Sequence, residues 1–161
     1  MRNNRKDIYN ALLAQLKTIL TDIPQPVQTI SRVWRPHTDY AAAQMPAILL
    51  DEKKEHATVE ALAAAPLYHL YVDLWIYLLA PVVSQTPGQE VIVPMDALDD
   101  MIDILENSPL SNPPIGGMPY NTLGGLVIHT WIEGDILKVA GVGSSQTQYS
   151  IARVPIVIFT T

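Results

Sequence analysis

The chain has 161 residues, of which 48% are hydrophobic and 16% are charged, and this suits one globular domain with a buried core. Acidic residues number 16 and basic residues 10, so the composition argues against a protein that grips DNA or a membrane surface. Cysteine is absent, which excludes disulfides, thiolate metal ligands and cysteine nucleophiles.

The first predicted element is an amphipathic helix over Asn4–Leu20. Asn4 is suited to cap it, and Pro24 and Pro26 stop it. The charged opening segment lacks the apolar run of a signal peptide, which predicts a protein that folds in the cytosol. The apolar stripe of the helix consists of Ile8, Leu12, Leu16, Ile19 and Leu20.

Two short strands are predicted next, at Thr29–Trp34 and Ala47–Asp51, with one helical turn at Tyr40–Gln44 between them. The segment Val59–Ala65 is compatible with helix, and its structure stays open. The charged segment before it alternates in a way that favours an extended edge strand or hairpin arm, through Glu52, Lys54 and His56.

The longest apolar stretch runs from Pro66 to Pro81 and predicts a long strand that organises the fold. A helix is the alternative, but the segment is too short for the ~20 residues of a membrane span. The apolar face should meet the core, and the mixed face is a natural place for a partner to dock. The apolar face carries Tyr68, Leu70, Val72, Leu74, Ile76, Leu78 and Ala80. The mixed, aromatic face carries Leu67, His69, Tyr71, Asp73, Trp75, Tyr77 and Leu79.

After a predicted turn at 82–89, the second half of the chain begins with an amphipathic helix over Pro94–Asn107. A loop or arm rich in proline and glycine follows at 108–125. Three strands complete the chain, at Leu126–Glu133, Ile136–Val142 and Ser150–Thr160, with a tight hairpin turn predicted at Gly134–Asp135. The order of elements predicts a single α+β domain over residues 1–161, whose mostly antiparallel sheet carries two main helices on one face.

No residues are assigned to catalysis, to a cofactor or to a metal ion. The acidic face of the second helix contains Asp96, Asp99, Asp100 and Asp103, but one straight helix does not supply ligands from several directions. The four histidines form no metal-binding pair. The glycine–serine segment at 141–145 lacks the lysine of a phosphate loop and lies between two strands, which favours an ordinary connecting loop.

The order of elements resembles that of a known family. A proline-led strand runs into a charged arm (MPAILLDEKKE), and a long apolar strand (LYHLYVDLWIYLLAPV), an acidic helix (DALDDMIDIL) and a closing strand (IARVPIVIFT) follow. With the N-terminal helix, this pattern resembles the tail terminator, or tail completion, proteins of long-tailed bacteriophages over about Ile8 to Phe159. The loop at 108–125 is larger than the smaller members of that family are expected to have.

The resemblance implies a structural virion protein that is assembled in the host cytoplasm and forms a ring, usually of six copies, at the junction of tail and neck. The ring would stop the growing tail tube and present a surface to the neck or head-completion protein. The implied partners are copies of itself, the tail-tube protein and the neck protein. DNA would be passing cargo only, and neither a membrane nor a cofactor is implied.

The low charge content of the chain and its two candidate contact patches are compatible with such an assembly. A low surface charge is typical of proteins whose surface is partly covered by copies or partners. A ring needs two different complementary patches on each subunit, because its contacts are head-to-tail. The candidate interface residues lie in the charged arm and on the aromatic face: Asp51, Glu52, Lys53, Lys54, Glu55, His69, Tyr71, Trp75 and Tyr77.

Two alternatives stay open. The first is another head–tail connector, neck or tail-tube component of the same kind of virion. The second is a small cytosolic enzyme with a site near residues 108–129, where Tyr120, Asn121 and His129 lie close together in sequence.

Overall fold

The structure, a computed structural model, describes residues 3–21, 26–59, 65–81, 93–111, 119–142 and 147–161. Several expectations concern residues outside these ranges: the turn at 82–89, most of the segment 59–65, the centre of the loop 108–125 and the connecting loop at 143–145. The elements are α1 (Arg5–Ile19), β1 (Thr29–Ser31), β2 (Ala47–Thr58), β3 (Leu67–Pro81), α2 (Val93–Glu106), β4 (His129–Ile132), β5 (Leu137–Val142) and β6 (Thr147–Thr160), with 3-10 turns at His37–Asp39 and Ala42–Gln44.

The six strands form one sheet in the order β1-β2-β3-β6-β4, and β5 also pairs with β6. Only the β1–β2 pair is parallel; the other four pairs are antiparallel. The predicted α+β fold with a mostly antiparallel sheet is confirmed. No described helix is long and apolar enough to cross a membrane.

The central strand β3 pairs with β2 along one side and with β6 along the other. Its side chains from Leu70 to Leu78 at even positions are buried, together with apolar residues of both helices, in one cluster. We call this face of the sheet the core side and the opposite face the open side. The apolar alternation in the sequence therefore correctly predicted the core side. The helices contribute Ile8, Leu12, Leu16, Leu98, Met101 and Leu105.

Helix α1 begins where the sequence predicted. The side chain of Asn4 accepts a hydrogen bond of 2.9 Å from the backbone N–H of Asp7, which satisfies one of the free donors of the first turn. The helix ends at Ile19, and the N–H of Leu20 donates to the carbonyl of Leu16 at 3.0 Å. The cap and the apolar stripe together account for both the position and the orientation of this helix.

Strand β2 is longer than its apolar run. It continues through the charged segment to Thr58, so the predicted extended arm is confirmed as part of the sheet. A bulge between Glu52 and Lys54 interrupts its pairing with β3. Strand β4 starts at His129, three residues later than predicted, because a turn with positive φ angles at Leu123, Gly124 and Gly125 precedes it.

The predicted hairpin turn at Gly134–Asp135 is wrong. Strands β4 and β5 both pair with β6, one after the other along the same edge. The gap between them faces Pro155, which has no N–H to donate and whose carbonyl accepts from the N–H of Glu133 at 3.1 Å. Gly134 has a φ of 112°, and a Cβ there would lie 3.2 Å from Cγ of Pro155. The chain thus leaves the ladder at the point where Pro155 cannot complete it.

Candidate interaction surface

The open side of the sheet carries a row of ring-bearing residues across four strands. His69 of β3 is paired in register with His56 of β2 and with Phe159 of β6. Phe159 is in turn paired with His129 of β4. The neighbouring row places Lys54, Tyr71, Val157 and Trp131 side by side.

Several of these rings contact one another. The ring of His69 stacks on Phe159 at 4.8 Å between centroids and on Tyr71 at 6.4 Å. The ammonium of Lys54 lies 4.8 Å from the centroid of Tyr71, a cation–π geometry. These side chains, with Trp131, are only partly buried. We call the set His69, Tyr71, Phe159, Trp131 and Lys54 the aromatic patch.

A charged row lies next to the aromatic patch. Asp51 and Asp73 face each other on β2 and β3, which is unfavourable for like charges. Lys53 comes out of the bulge and places its ammonium 2.6 Å from Asp51 and 3.9 Å from Asp73, while Nε of Arg153 is 3.8 Å from Asp73. Burial raises the pKa of Asp73, and Arg153 and Lys53 only partly oppose this. The Asp73 carboxylate is thus held on the sheet at some cost in stability.

The other half of the open side is covered by the segment between β1 and β2. Trp34 packs on Trp75 with centroids 5.7 Å apart, and His37 stacks on Tyr149 at 4.8 Å. The hydroxyl of Tyr77 donates to the carbonyl of Arg35 at 2.7 Å, and Tyr77 is only 2% exposed. Burial raises the pKa of Tyr77 to about 12. The aromatic face predicted from β3 is therefore half covered within the subunit.

The predicted interface residues fall into three groups. Five of them meet on the open side: Asp51, Lys53, Lys54, His69 and Tyr71. Trp75 and Tyr77 lie under the segment 32–45. Glu52 and Glu55 share the register of the core-side residues of β3, and they bond to Arg32 and Arg5 respectively.

Strand β6 and strand β4 supply members of this surface that were not among the predicted interface residues. Arg153, Val157 and Phe159 recur at alternating positions of β6, and this alternation was a usable signal that they share a face. Their position beside β3 follows only from the register of the two strands. Trp131 joins them through its pairing with Val157.

The alternative prediction, a small enzyme, placed its site near the loop before β4. Here His129 is 7% exposed, and its Nδ1 accepts from the N–H of Asn121 at 3.0 Å. Its ring lies 4.7 Å from Tyr120 and 4.8 Å from Trp131, and burial lowers its pKa. A neutral imidazole that accepts at Nδ1 carries its proton on Nε2. This geometry holds the loop against the edge of the sheet.

Asn121 extends the same arrangement to the first helix. Its side-chain amide exchanges two hydrogen bonds of 2.8 Å with the amide of Gln15 in α1. A shallow hollow of about 230 Å³ lies beside this pair, lined by Gln15, Pro109, Pro119, Tyr120, Asn121, Thr122, Leu123 and Gly124. The paired hydrogen bonds between Asn121 and Gln15 attach the loop to α1.

The acidic face of α2 lies near β5. Asp99 accepts a hydrogen bond of 2.8 Å from the ammonium of Lys138, and this bond raises the pKa of Lys138 together with the charges of Asp99, Asp103 and Glu106. In the described part of the chain, no group of three or more histidine, aspartate or glutamate side chains is arranged to hold a metal ion.

The chain matches no protein-family model, and no curated protein matches it significantly.

Proposed function

We propose that the protein is a structural virion component, a phage tail terminator that works as a homo-oligomeric ring. It caps the tail tube and joins it to the neck. The observation that carries this proposal is the partly exposed aromatic patch on the open side, because exposed ring-bearing patches of this kind are typical of protein–protein contacts.

A second, different surface makes a head-to-tail contact feasible. Strand β1 pairs only with Ala47–Leu49 of β2, so no described strand covers the outer edge of β2 from Glu52 to Thr58. Lys54 belongs to both, but the charged edge and the rings of the aromatic patch are otherwise unlike surfaces, as a cyclic ring requires. We infer that the edge of β2 in one copy docks against the aromatic patch of the next.

The charge of the chain suits the proposed channel. With 16 acidic and 10 basic residues, the formal net charge is −6. A ring through which DNA passes benefits from a surface that does not retain phosphate groups. The proposal therefore expects weak, salt-sensitive DNA binding at most.

The experiment combines mass measurement of the purified chain with electron microscopy of phage tail tubes. We expect a finite ring that caps or joins the tubes. Tyr71→Asp places a charge in the aromatic patch and should abolish the ring, whereas Val33→Asp, at a side chain 61% exposed outside the patch, should leave it intact.

Three outcomes would contradict the proposal. A monomer that neither assembles nor binds tubes would remove its basis. An endless polymer would indicate a tube protein instead of a terminator. Equal assembly of the Tyr71→Asp chain and the unmodified chain would show that the aromatic patch is not the contact.

A further inference from the structure

Strand β5 is an edge strand in the described part of the sheet. Its only partner among the described strands is β6, so the N–H and C=O groups on its other side have no strand beside them in the described structure. Leu137 and Val139 on its open side are 47% and 56% exposed. An unpaired edge with exposed apolar side chains is a template for a further strand.

The free edge of β2, on the opposite side of the sheet, has features that discourage pairing with a further strand, and β5 lacks them. The free part of β2 contains a bulge and a run of four charged residues, Glu52 to Glu55. Two of these carboxylates are tied to other elements, Glu52 to Arg32 and Glu55 to Arg5. Charges and bulges of this kind discourage the pairing of an edge with another strand. Strand β5 has a single charged residue, Lys138, and no bulge in its pairing with β6.

The core side of the β5 edge is acidic. Lys138 bonds to Asp99 of α2, and the charges of Asp103 and Glu106 also act on it. Asp99, Asp103 and Glu106 follow one another at helical spacing on α2, so the helix face that Lys138 reaches carries three carboxylates. A strand added outside β5 would present its core-side residues to this excess of negative charge, and its open-side residues to Leu137 and Val139.

We propose that the outer edge of β5 binds an extended segment of another protein, in which basic residues alternate with apolar ones. The backbone of the segment would continue the sheet, its apolar side chains would pack on Leu137 and Val139, and its lysine or arginine side chains would meet Asp103 and Glu106. Alternation with a period of two is what a strand needs to satisfy both faces at once.

The chain itself supplies no such segment in its described strands. Strands β1, β3 and β4 contain no lysine or arginine, β6 contains only Arg153, and the two lysines of β2 are adjacent instead of alternating. The single lysine of β5 is already paired with Asp99. A segment of a different protein therefore matches the negative charge beside β5 better than a second copy of this chain does. The inference does not depend on the ring, since it uses neither the aromatic patch nor the edge of β2.

The test uses the full chain and a short synthetic peptide that alternates lysine and valine. We expect calorimetry to detect binding that weakens as salt is added, and amide exchange to slow specifically in β5. A peptide that alternates glutamate and valine should have an affinity that is lower by a factor of about ten or more. A lysine–valine peptide with alternate backbone amides N-methylated should lose binding, because it cannot complete the ladder.

Variants locate the site. Val139→Glu should weaken binding about tenfold or more, and Val33→Glu, a matched exposed valine elsewhere, should not. Asp103→Asn combined with Glu106→Gln should weaken binding and flatten its salt dependence. Asp39→Asn, an exposed aspartate in a 3-10 turn, is the control for these changes. Circular dichroism would verify that each variant is folded.

The proposal is overturned if the lysine–valine peptide does not bind at millimolar concentration, if its N-methylated form binds equally well, or if Val139→Glu has no effect. Concentration-dependent dimerisation that Val139→Glu abolishes would also overturn it, because β5 would then pair with a second copy. The Tyr71→Asp chain should still bind the peptide, so failure of the ring and failure of this site are distinguishable.

Discussion

At the scale of single residues, His129 shows how one buried polar group organises a loop. Its Nδ1 accepts from the backbone of Asn121, and its ring lies against Tyr120 and Trp131. The imidazole must remain neutral to accept this bond, and its burial disfavours the charged form. The stability of the loop is therefore linked to pH.

We predict that His129 makes the protein less stable as the pH falls below about 6.5, the ordinary pKa of histidine. Because the folded pKa is lowered, the unfolded chain takes up a proton first, so the free energy of unfolding falls from that pH down to the folded pKa and is unaffected above it. The measurement is urea denaturation across this range for the unmodified chain and for His129→Asn. The difference between the two should shrink at low pH; a constant difference would contradict the prediction.

Replacement of the whole ring should cost more. His129→Ala leaves the N–H of Asn121 without its acceptor and opens a cavity beside two rings, so we expect a loss of about 2–4 kcal/mol in the free energy of unfolding. His56→Ala, at an exposed histidine on β2, is the matched control and should change stability little. Equal effects of the two substitutions would show that His129 does not hold the loop.

Asp73 offers a second prediction at this scale. Burial raises its pKa, so its contribution to stability is present at low pH and is lost as the pH rises through the folded pKa. Asp73→Asn should therefore raise the free energy of unfolding at neutral pH, on the order of 0.5 kcal/mol. Asp51→Asn, directly opposite on β2, removes the partner of Lys53 at 2.6 Å and should not stabilise. A loss of stability in Asp73→Asn would mean that its ion pairs outweigh its burial.

At the scale of elements, the interrupted edge of β4 and β5 follows from one proline. Pro155 pairs with Asp73 on one side and lacks the N–H that the other side of the ladder would use. The chain bypasses this position through Gly134, whose backbone adopts a conformation that other residues rarely tolerate. The gap separates β4, which carries Trp131 of the aromatic patch, from β5, which carries the open edge.

We predict that Gly134→Ala lowers the free energy of unfolding by about 1–3 kcal/mol. The added Cβ meets Pro155 at 3.2 Å, in addition to the backbone strain at a φ of 112°. Gly124→Ala is the matched control, because Gly124 also has a positive φ (73°) but no atom within 4 Å of the added Cβ. Thermal and urea denaturation should show the larger loss for Gly134→Ala; a larger loss for Gly124→Ala would contradict this explanation.

At the scale of the whole molecule, the sheet divides the protein into a covered and an open side. Both helices contribute to the buried cluster on the core side, whereas among the described residues the open side is covered where Trp34 and Tyr40 pack over β3 and where His37 stacks on Tyr149 of β6. The proposed ring uses the remaining aromatic patch, and the proposed partner strand uses the edge of β5. The two surfaces are separate, so one subunit can make both contacts at once.

The ring proposal predicts how assembly responds to substitutions outside its contact. Val139→Glu changes a residue that the ring does not use, so rings of unchanged mass should form, measured by native mass spectrometry or light scattering. His69→Asp, within the aromatic patch, should dissociate the ring by burying an unpaired charge at the contact. Rings of the same mass from His69→Asp would place the contact elsewhere.

Much of the fold was predictable because it depends on local periodicity. The stripe of α1, the acidic and apolar faces of α2 and the two faces of β3 each follow from spacing within one segment. The candidate surface was predictable in part for the same reason. His69 and Tyr71 share a face of β3 in any sheet, whereas Lys54 joins them only because the bulge after Glu52 shifts the register of β2.

What the sequence by itself determined is therefore the set of helices and strands and the side of each one that is apolar. Only the tertiary structure decided which faces lie next to each other: Phe159 beside His69, Trp34 over Trp75, and Pro155 opposite the gap that separates β4 from β5. Periodicity is a property of neighbouring residues, whereas strand register and coverage join residues far apart in the chain, so no single segment contains the information that sets them.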